Sequence, residues 1–348
     1  MGRSRFSFTL LFLLAVLIGM VGVALAVGSV NVPLSDVIVA LTGGAPSKPV
    51  YATIIVQFRL PRVLTALLAG AGLACAGIQM QTLFRNPLAD PYVLGISSGA
   101  SLGVALVVLA AGGIGGAALI AGLGWLGDLG LAAAASLGAG GALLIVVAAS
   151  GRLRSVAALL VLGLMFSAFV GAIVSLLMYF SAAERVQAFI RWSFGSFGGV
   201  AWRQMAIFAP VTLVGIALAQ ALVKPLNALL LGETYAQSMG LNLKRARLAV
   251  ILSAAILAGA VTAFCGPIGF LGIAVPHLCR MLFRTSDHRH LLPTCALIGA
   301  MVAILADLIA QMPGGEVVLP LNAVTAVIGA PIVIAIIWRG WERHRLEM

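Results

Sequence analysis

Long apolar runs fill almost the whole chain, and short polar or Pro/Gly-rich breaks separate each run from the next. A helix needs roughly 20 apolar residues to cross the hydrocarbon layer of a membrane, so the runs leave room for about ten such helices. The pattern predicts an all-α polytopic membrane protein that forms a single transmembrane domain over residues 1–348. The predicted spans cover residues 6–27, 61–83, 92–111, 129–149, 156–180, 201–223, 248–265, 267–283, 291–312 and 320–338.

The eighth predicted span contains several helix-breaking residues. Gly266-Pro267-Ile268-Gly269 stands at its start and Pro276 lies inside it. Such breaks survive at membrane depth only where neighbouring protein satisfies the freed backbone groups. We therefore expect a short or broken helix here, surrounded by other helices.

An internal repeat can be read directly from the chain. Leu68-Ala69-Gly70-Ala71 in the second predicted span recurs as Leu257-Ala258-Gly259-Ala260 in the seventh. These two spans run in opposite directions, so the repeat predicts an inverted-topology architecture with halves at residues 59–180 and 248–338. A chance match in an Ala/Gly/Leu-rich chain is the alternative. The small residues would let helix backbones approach closely.

The composition supports a membrane protein, and the membrane gives another explanation for the positive net charge. The chain is 62% hydrophobic and only 9% charged, with a mean hydropathy of +1.14, whereas ordinary soluble domains are about 25% charged. A net charge of +11 could indicate nucleic-acid binding. However, most of the Lys and Arg residues fall on one side if both termini are cytoplasmic, as the positive-inside rule requires. We expect a multi-pass protein of the bacterial inner membrane with no nucleic-acid partner.

Catalytic chemistry is hard to find in this sequence. Asp307 is the clear acid within a predicted span, and an ionisable group in lipid is a functional candidate by default. A buried carboxylate that bonds a neighbouring helix is the favoured interpretation, and a substrate role is the alternative.

The sequence has no HExxH, CxxC or GxxxxGK[ST] motif, so catalytic zinc and ATP phosphates lack their usual ligands. The prediction is a transport subunit that is not an enzyme and binds no cofactor itself.

The four cysteines lie in or beside predicted spans and show no metal-binding spacing. We interpret them as packing residues. They are Cys75, Cys265, Cys279 and Cys295.

One hydrophilic cytoplasmic segment, residues 224–247, has the punctuation of a short helix. Gly232 would precede the helix and Gly240 would end it. Apolar side chains between and after these glycines could anchor a partner protein. The candidate contact residues are Gly232, Glu233, Tyr235, Ala236, Met239, Gly240 and Leu241.

Several ordered strings resemble a known family. The longest are Arg59-Leu-Pro-Arg62 with residues 84–95, and residues 266–280; shorter ones are Asp287-His288-Arg289, Leu305-Ala306-Asp307 and residues 326–331. Together they resemble the permease subunits of ATP-driven importers for iron-siderophore complexes, haem and vitamin B12. The resemblance covers nearly the whole chain.

The resemblance implies a ten-helix subunit that pairs with a second copy, two ATPase subunits that hold ATP and Mg, and a periplasmic substrate-binding protein. It assigns Arg59 and Arg62 to binding-protein docking and residues 232–241 to ATPase coupling. Ser155, Val156 and Ala157 would correspond to a cytoplasmic gate. The chain departs from the family at Gln311, where many relatives carry a third docking arginine, and at Val156-Ala157, which replace hydroxyl residues.

Three classes of function compete for this sequence. The first is an importer permease for an iron chelate, either a siderophore complex or haem, with cobalamin as the alternative cargo of the same architecture. The second is a stand-alone secondary transporter, which should show coupling-ion ligands near the membrane midplane. The third is a membrane enzyme, which needs paired catalytic groups that the sequence lacks.

Overall fold

The computed structural model describes residues 3–110, 125–152, 156–312 and 318–346, and every regular element within these residues is a helix. Among the described residues, seven helices are long and apolar enough to cross a membrane, so the predicted all-α polytopic class is confirmed. Three shorter apolar helices accompany them; the count of ten spans stays a prediction. The described helices are α1 Arg3–Ala26, α2 Leu34–Leu41, α3 Pro49–Phe84, α4 Ile96–Ala105, α5 Trp125–Arg152, α6 Val156–Tyr179, α7 Ala183–Ser193, α8 Trp202–Ala221, α9 Val223–Leu230, α10 Glu233–Ser238, α11 Leu243–Cys265, α12 Leu271–Phe283, α13 His288–Ala310 and α14 Leu321–Leu346.

Helix α3 is longer than the sequence pattern predicted. The span was expected to begin at residue 61, but the helix begins at Pro49 and continues through a π-helical section, Ile54–Arg59. Proline is well suited to the first helical position because its missing N–H has no partner there anyway. At 36 residues the helix is about 54 Å long. Arg59 and Arg62 therefore lie within a helix, and polar side chains in its first half hid that from the hydropathy pattern.

Helix α3 lies at the centre of the molecule. In its most apolar stretch 89% of the residues are buried, against 17–33% for α1, α5, α6 and α8. The neighbours of α3 include α8, α11, α12 and α13. The outer helices therefore present their apolar faces to lipid or to another chain, while α3 is surrounded by protein.

Helices α3 and α13 run antiparallel with their backbones in direct contact. A Cβ added at Gly70 would overlap the carbonyl oxygen of Gly299, and one added at Gly299 would overlap the carbonyl oxygen of Gly70. Ala74 and Ala303 flank this crossing. Only glycine fits at these two positions because each backbone occupies the space of the other residue's side chain.

The helix pairs that α3 makes correspond to the helix pairs that α11 makes. Helix α3 packs on α13 and α12, while α11 packs on α5 and α4. This is the pairing that two inverted halves would give. The inverted repeat itself stays a prediction.

The interrupted span forms a short helix, as the sequence predicted. Helix α12 begins at Leu271, and the preceding segment bonds to neighbouring elements. The Ile268 amide donates to the Tyr92 hydroxyl at 3.4 Å, and the Gly269 amide donates to Oδ1 of Asn322 at 3.0 Å. Neighbouring protein thus satisfies backbone groups that a continuous helix would have paired internally.

The glycine contact predicts a position-dependent effect of one methyl group. Gly70→Ala should destabilise the folded protein by about 1–3 kcal/mol because the helices must separate to admit it. Gly19→Ala on α1 is the matched control, since a Cβ there meets nothing within 4 Å. Thermal unfolding of both variants in detergent micelles measures the difference. Equal melting temperatures for the two variants would contradict the described contact.

Candidate functional site

An ion pair joins α3 to α13 at one end of the molecule, which we call the arginine end. Nε of Arg62 donates to Oδ2 of Asp307 at 2.9 Å, and Nη2 donates to Oδ1 at 2.9 Å. Asp307 is only 4% exposed, while the Arg62 side chain is 21% exposed. The fork of the guanidinium matches the carboxylate, a geometry that gives strong charge-assisted hydrogen bonds. The sequence marked both residues but did not pair them.

The side-chain amide of Gln311 also bonds to this carboxylate. Nε2 of Gln311, one turn further along the chain, donates to Oδ2 of Asp307 at 2.8 Å. Both oxygens of Asp307 therefore have partners on the chain itself. The residue that stands where relatives carry a third arginine helps to hold the carboxylate in place.

Arg59 makes several hydrogen bonds within the chain. Its side chain is buried, and its guanidinium donates to the carbonyl oxygens of Leu25 at 2.7 Å, Ala26 at 2.9 Å and Val30. The carbonyls at the end of a helix have no intrahelical partners, and Arg59 satisfies those at the end of α1. Three of the five guanidinium N–H donors of Arg59 are used within the chain, and its assignment to binding-protein docking stays a prediction.

A cleft of about 550 Å³ opens at the arginine end. Arg59, Arg62 and Gln311 all line it, together with residues 198–201 of the segment before α8. Two guanidinium groups border this cleft and one of them is paired with Asp307, so an excess of positive charge remains. A surface of this kind favours an acidic partner.

The predicted gate falls partly outside the described residues. Ser155 lies outside them, whereas α6 begins at Val156 and Ala157 is exposed. Residues 156 and 157 belong to helix α6. The gate assignment stays a prediction.

The opposite end of the molecule carries the short helix that the sequence predicted. Helix α10 lies between Gly232, with φ of +113°, and Gly240, with φ of +84°. Both φ values fall in a region that glycine adopts without steric cost. The side chains of Tyr235 and Met239 are 55% and 51% exposed. These two residues form an exposed apolar patch on α10.

Ala236 does not belong to that patch. Its side chain is fully buried within this chain, while Leu241 is half-buried. Its contact with a partner stays a prediction; in this chain Ala236 lies under the neighbouring exposed side chains of Tyr235 and Met239.

Polar contacts tie the short helices to the membrane helices. The Glu233 carboxylate lies 2.6 Å from the Arg247 guanidinium on α11, and Nη2 of Arg85 donates to the Leu229 carbonyl of α9 at 3.3 Å. Helices α9 and α10 are thus fastened at two points. We call these two helices with the C-terminal cap of α10, residues 223–239, the coupling segment.

Sequence reasoning missed a polar group beside the coupling segment. Asp287 precedes α13, and its Oδ1 accepts hydrogen bonds from the Arg289 amide at 2.9 Å and from Nδ2 of Asn227 at 2.6 Å. Burial alone would raise the pKa of Asp287, but these hydrogen bonds together with the nearby charges of His290 and Arg289 outweigh it and lower the pKa below its usual value. The string Asp287-His288-Arg289 was noted only as part of the resemblance, although its helix-capping pattern could have indicated the site.

The chain was compared with known proteins. The model of the FecCD transport family matches residues 12–339. The chain belongs to this family. An uncharacterized ABC transporter permease, YvrB of Bacillus subtilis, is 35% identical over 328 residues, covering 91% of this chain and 89% of YvrB. The vitamin B12 import system permease BtuC of Salmonella arizonae is 40% identical over 282 residues, covering 80% of each chain.

A solved structure has the same fold. It is an inward-facing conformation of an ABC transporter assigned to the metal-chelate type, and it matches with a TM-score of 0.82 at 31% identity over 96% of this chain and 99% of that one. The FecCD family and the apolar helices together identify a multi-pass inner-membrane permease of the ABC importer class.

The ion pair predicts that Asp307 tolerates an amide and does not tolerate an apolar group. In Asp307→Asn the new amide oxygen can accept from Arg62, and the Gln311 amide can rotate to accept from the new NH2 group. Asp307→Leu leaves the Arg62 guanidinium without its partner, which should cost on the order of 2 kcal/mol. Melting temperature and membrane insertion of the two variants give the comparison. Loss of folding in the asparagine variant would show that the negative charge itself is required.

Proposed function

We propose that this chain is the permease subunit of an ATP-driven importer that moves an iron chelate, a siderophore complex or haem, from a periplasmic binding protein into the cytoplasm. The α3–α13 pair is the observation that carries the proposal. It connects the positively charged cleft at one end to the coupling segment at the other. A subunit that receives cargo on one side and force on the other needs such a connection.

We propose the following orientation in the membrane. Both termini and the coupling segment face the cytoplasm, and the arginine end faces the periplasm. The distribution of Lys and Arg supports this orientation. A contact between the N-terminal helix and α13 supports it as well. The rings of Phe6 on α1 and His290 at the start of α13 have centroids 4.3 Å apart. The N-terminus therefore lies at the same end as the start of α13, which contacts the coupling segment.

We also propose the subunit composition that the family suggests, namely two copies of this permease with two ATPase subunits. Large apolar side chains on α6 and α14 are well exposed, among them Phe169 at 65% and Val327 at 74%. Such surfaces in a membrane protein meet lipid or another chain. The substrate-binding protein would dock at the cleft, and ATP with Mg would bind the ATPase subunits.

Cobalamin is the second candidate cargo. The 40% identity to a vitamin B12 permease favours it, while the resemblance to a metal-chelate type transporter favours the wider class. All three cargoes are bulky metal chelates. Uptake of radiolabelled ferric siderophore, haem and cobalamin into proteoliposomes that contain the whole complex separates them, and the true cargo should also stimulate ATP hydrolysis.

The secondary-transporter alternative is weaker because of the Arg62 pairing. A coupling-ion site needs a carboxylate with free oxygens, but both oxygens of Asp307 accept hydrogen bonds from this chain. Uptake driven by an ion gradient without ATP would revive that alternative.

Docking should depend on Arg62. Arg62→Glu should weaken binding of the substrate-binding protein by about 2–5 kcal/mol if the contact is a buried charge pair. Lys48→Glu is the control, because Lys48 is exposed at the same predicted face. Affinity is measured on nanodisc-embedded complex at low and high salt. A companion variant, Arg62→Gln with Asp307→Asn, removes both charges of the ion pair and shows whether loss of docking follows from charge or from local disruption. Unchanged affinity in both Arg62 variants would exclude this docking site.

ATPase contact should depend on the exposed patch of α10. Met239→Asp places a charge, and Tyr235→Ala removes apolar area, in the proposed contact, so both should reduce co-purification of the ATPase subunit. Lys224→Asp, exposed at the same end, should have little effect. Ala236→Arg should also lower the melting temperature of the permease alone, since its side chain is buried here. Normal assembly of both patch variants would move the contact elsewhere, and residues 284–290 would be the next candidate.

A further inference from the structure

A buried histidine at the start of α13 connects three helices. His288 is 1% exposed. Its Nε2 lies 2.8 Å from the Thr82 hydroxyl oxygen on α3, and its Nδ1 lies 2.8 Å from Oδ1 of Asn227 on α9. The backbone amide of His288 also donates to Oδ1 of Asn227 at 2.9 Å. A side chain of the coupling segment thus bonds directly to the helix pair that leads to the arginine end.

The orientation of Asn227 is fixed by its two neighbours. Its NH2 group donates to Asp287, which as a carboxylate can only accept. The amide oxygen must therefore face His288, where it accepts from the backbone amide. It follows that Nδ1 of His288 carries the proton in the bond to Asn227. We call these four residues, Thr82, Asn227, Asp287 and His288, the clasp.

The clasp lies between the coupling segment and the α3–α13 pair. Asn227 lies on α9, and only two residues separate α9 from α10. At the far end of the same helix pair stands the Arg62–Asp307 ion pair. Thr82 and Arg62 are separated along α3 by about 30 Å. Between them the backbones touch at Gly70 and Gly299, so the two helices leave little room to slide independently.

We infer that Asn227 is a positioning residue through which displacement of the coupling segment moves the α3–α13 pair. The inference rests on the proposed function, because it assumes that an ATPase acts on α10. The Arg85 bond to Leu229 steadies α9 against α3, whereas Asn227 reaches α13. Without the Asn227 bond, the 3.3 Å hydrogen bond from Arg85 to Leu229 remains as a polar link between α9 and the helix pair, so we expect a displacement of α10 to reach α13 less completely. The structural alternative is that the clasp merely stabilises the fold.

Two substitutions of His288 separate the bonds of the clasp. Asparagine places its NH2 group near the position of Nδ1 and can keep the bond to Asn227, while glutamine reaches the position of Nε2 and can keep the contact with Thr82. The inference requires that His288→Asn keeps coupling. His288→Gln loses the Nδ1 bond but keeps the bond from the backbone amide of residue 288 to Asn227, so it should lower coupling less than Asn227→Ala, which removes every side-chain bond of Asn227.

The measurement is cargo moved per ATP hydrolysed, with whichever of the three chelates the wild-type complex transports in proteoliposomes. We expect Asn227→Ala to lower this ratio about five-fold or more and His288→Gln to lower it less, with ATPase co-purification and hydrolysis rate close to wild type in both variants. A purely structural role would instead lower melting temperature, assembly and hydrolysis together, and that result would overturn the inference. An unchanged ratio in Asn227→Ala would overturn it as well.

A distance measurement tests the mechanical part directly. The four native cysteines are buried, so cysteines introduced at the exposed Lys224 and Met312 can carry spin labels selectively. In the otherwise wild-type complex the distance between the coupling segment and the arginine end of α13 should stay constant with and without ATP. Asn227→Ala should broaden or shift it when ATP is added. A constant distance in that variant would overturn the inference. A wild-type complex that shows no ATP-driven uptake would instead refute the proposed function.

Discussion

The backbone contact between α3 and α13 is the constraint on which the rest of this structure depends. Lipid tails are as apolar as leucine, so helices in a membrane gain little from hiding apolar side chains against one another. Close packing and polar pairs must supply the association instead. Gly70 and Gly299 let the two backbones touch. That approach brings Arg62 within reach of Asp307 at one end and His288 within reach of Thr82 at the other.

Charged groups in such a protein must be satisfied before they can serve a partner. Arg59 bonds three carbonyl groups near the end of α1, and Arg62 holds Asp307. An isolated charge in a low-dielectric interior is costly, so both arginines first stabilise this chain. Arg62 keeps part of its guanidinium open to the cleft. It can therefore support the fold and still attract an acidic partner.

The coupling segment combines an exposed face with a fixed attachment. Tyr235 and Met239 face outward, while Ala236 lies against the chain itself. The Glu233–Arg247 ion pair fastens α10 to α11. A short helix of six residues has little stability of its own in water. These attachments hold it in one orientation.

The sequence by itself determined the membrane class, most of the spans, the short α12 and the glycine-bounded α10, because these features depend on local composition and spacing. Its strings also indicated the FecCD family. It did not determine that α3 begins at Pro49, since polar side chains in a membrane helix look like a loop until their partners are known. The pairing of Arg62 with Asp307 and of Asn227 with His288 joins residues far apart in the chain. Only tertiary packing decided which charges line the cleft and which bond within the chain, because hydrogen bonds between distant helices leave no periodicity in the sequence.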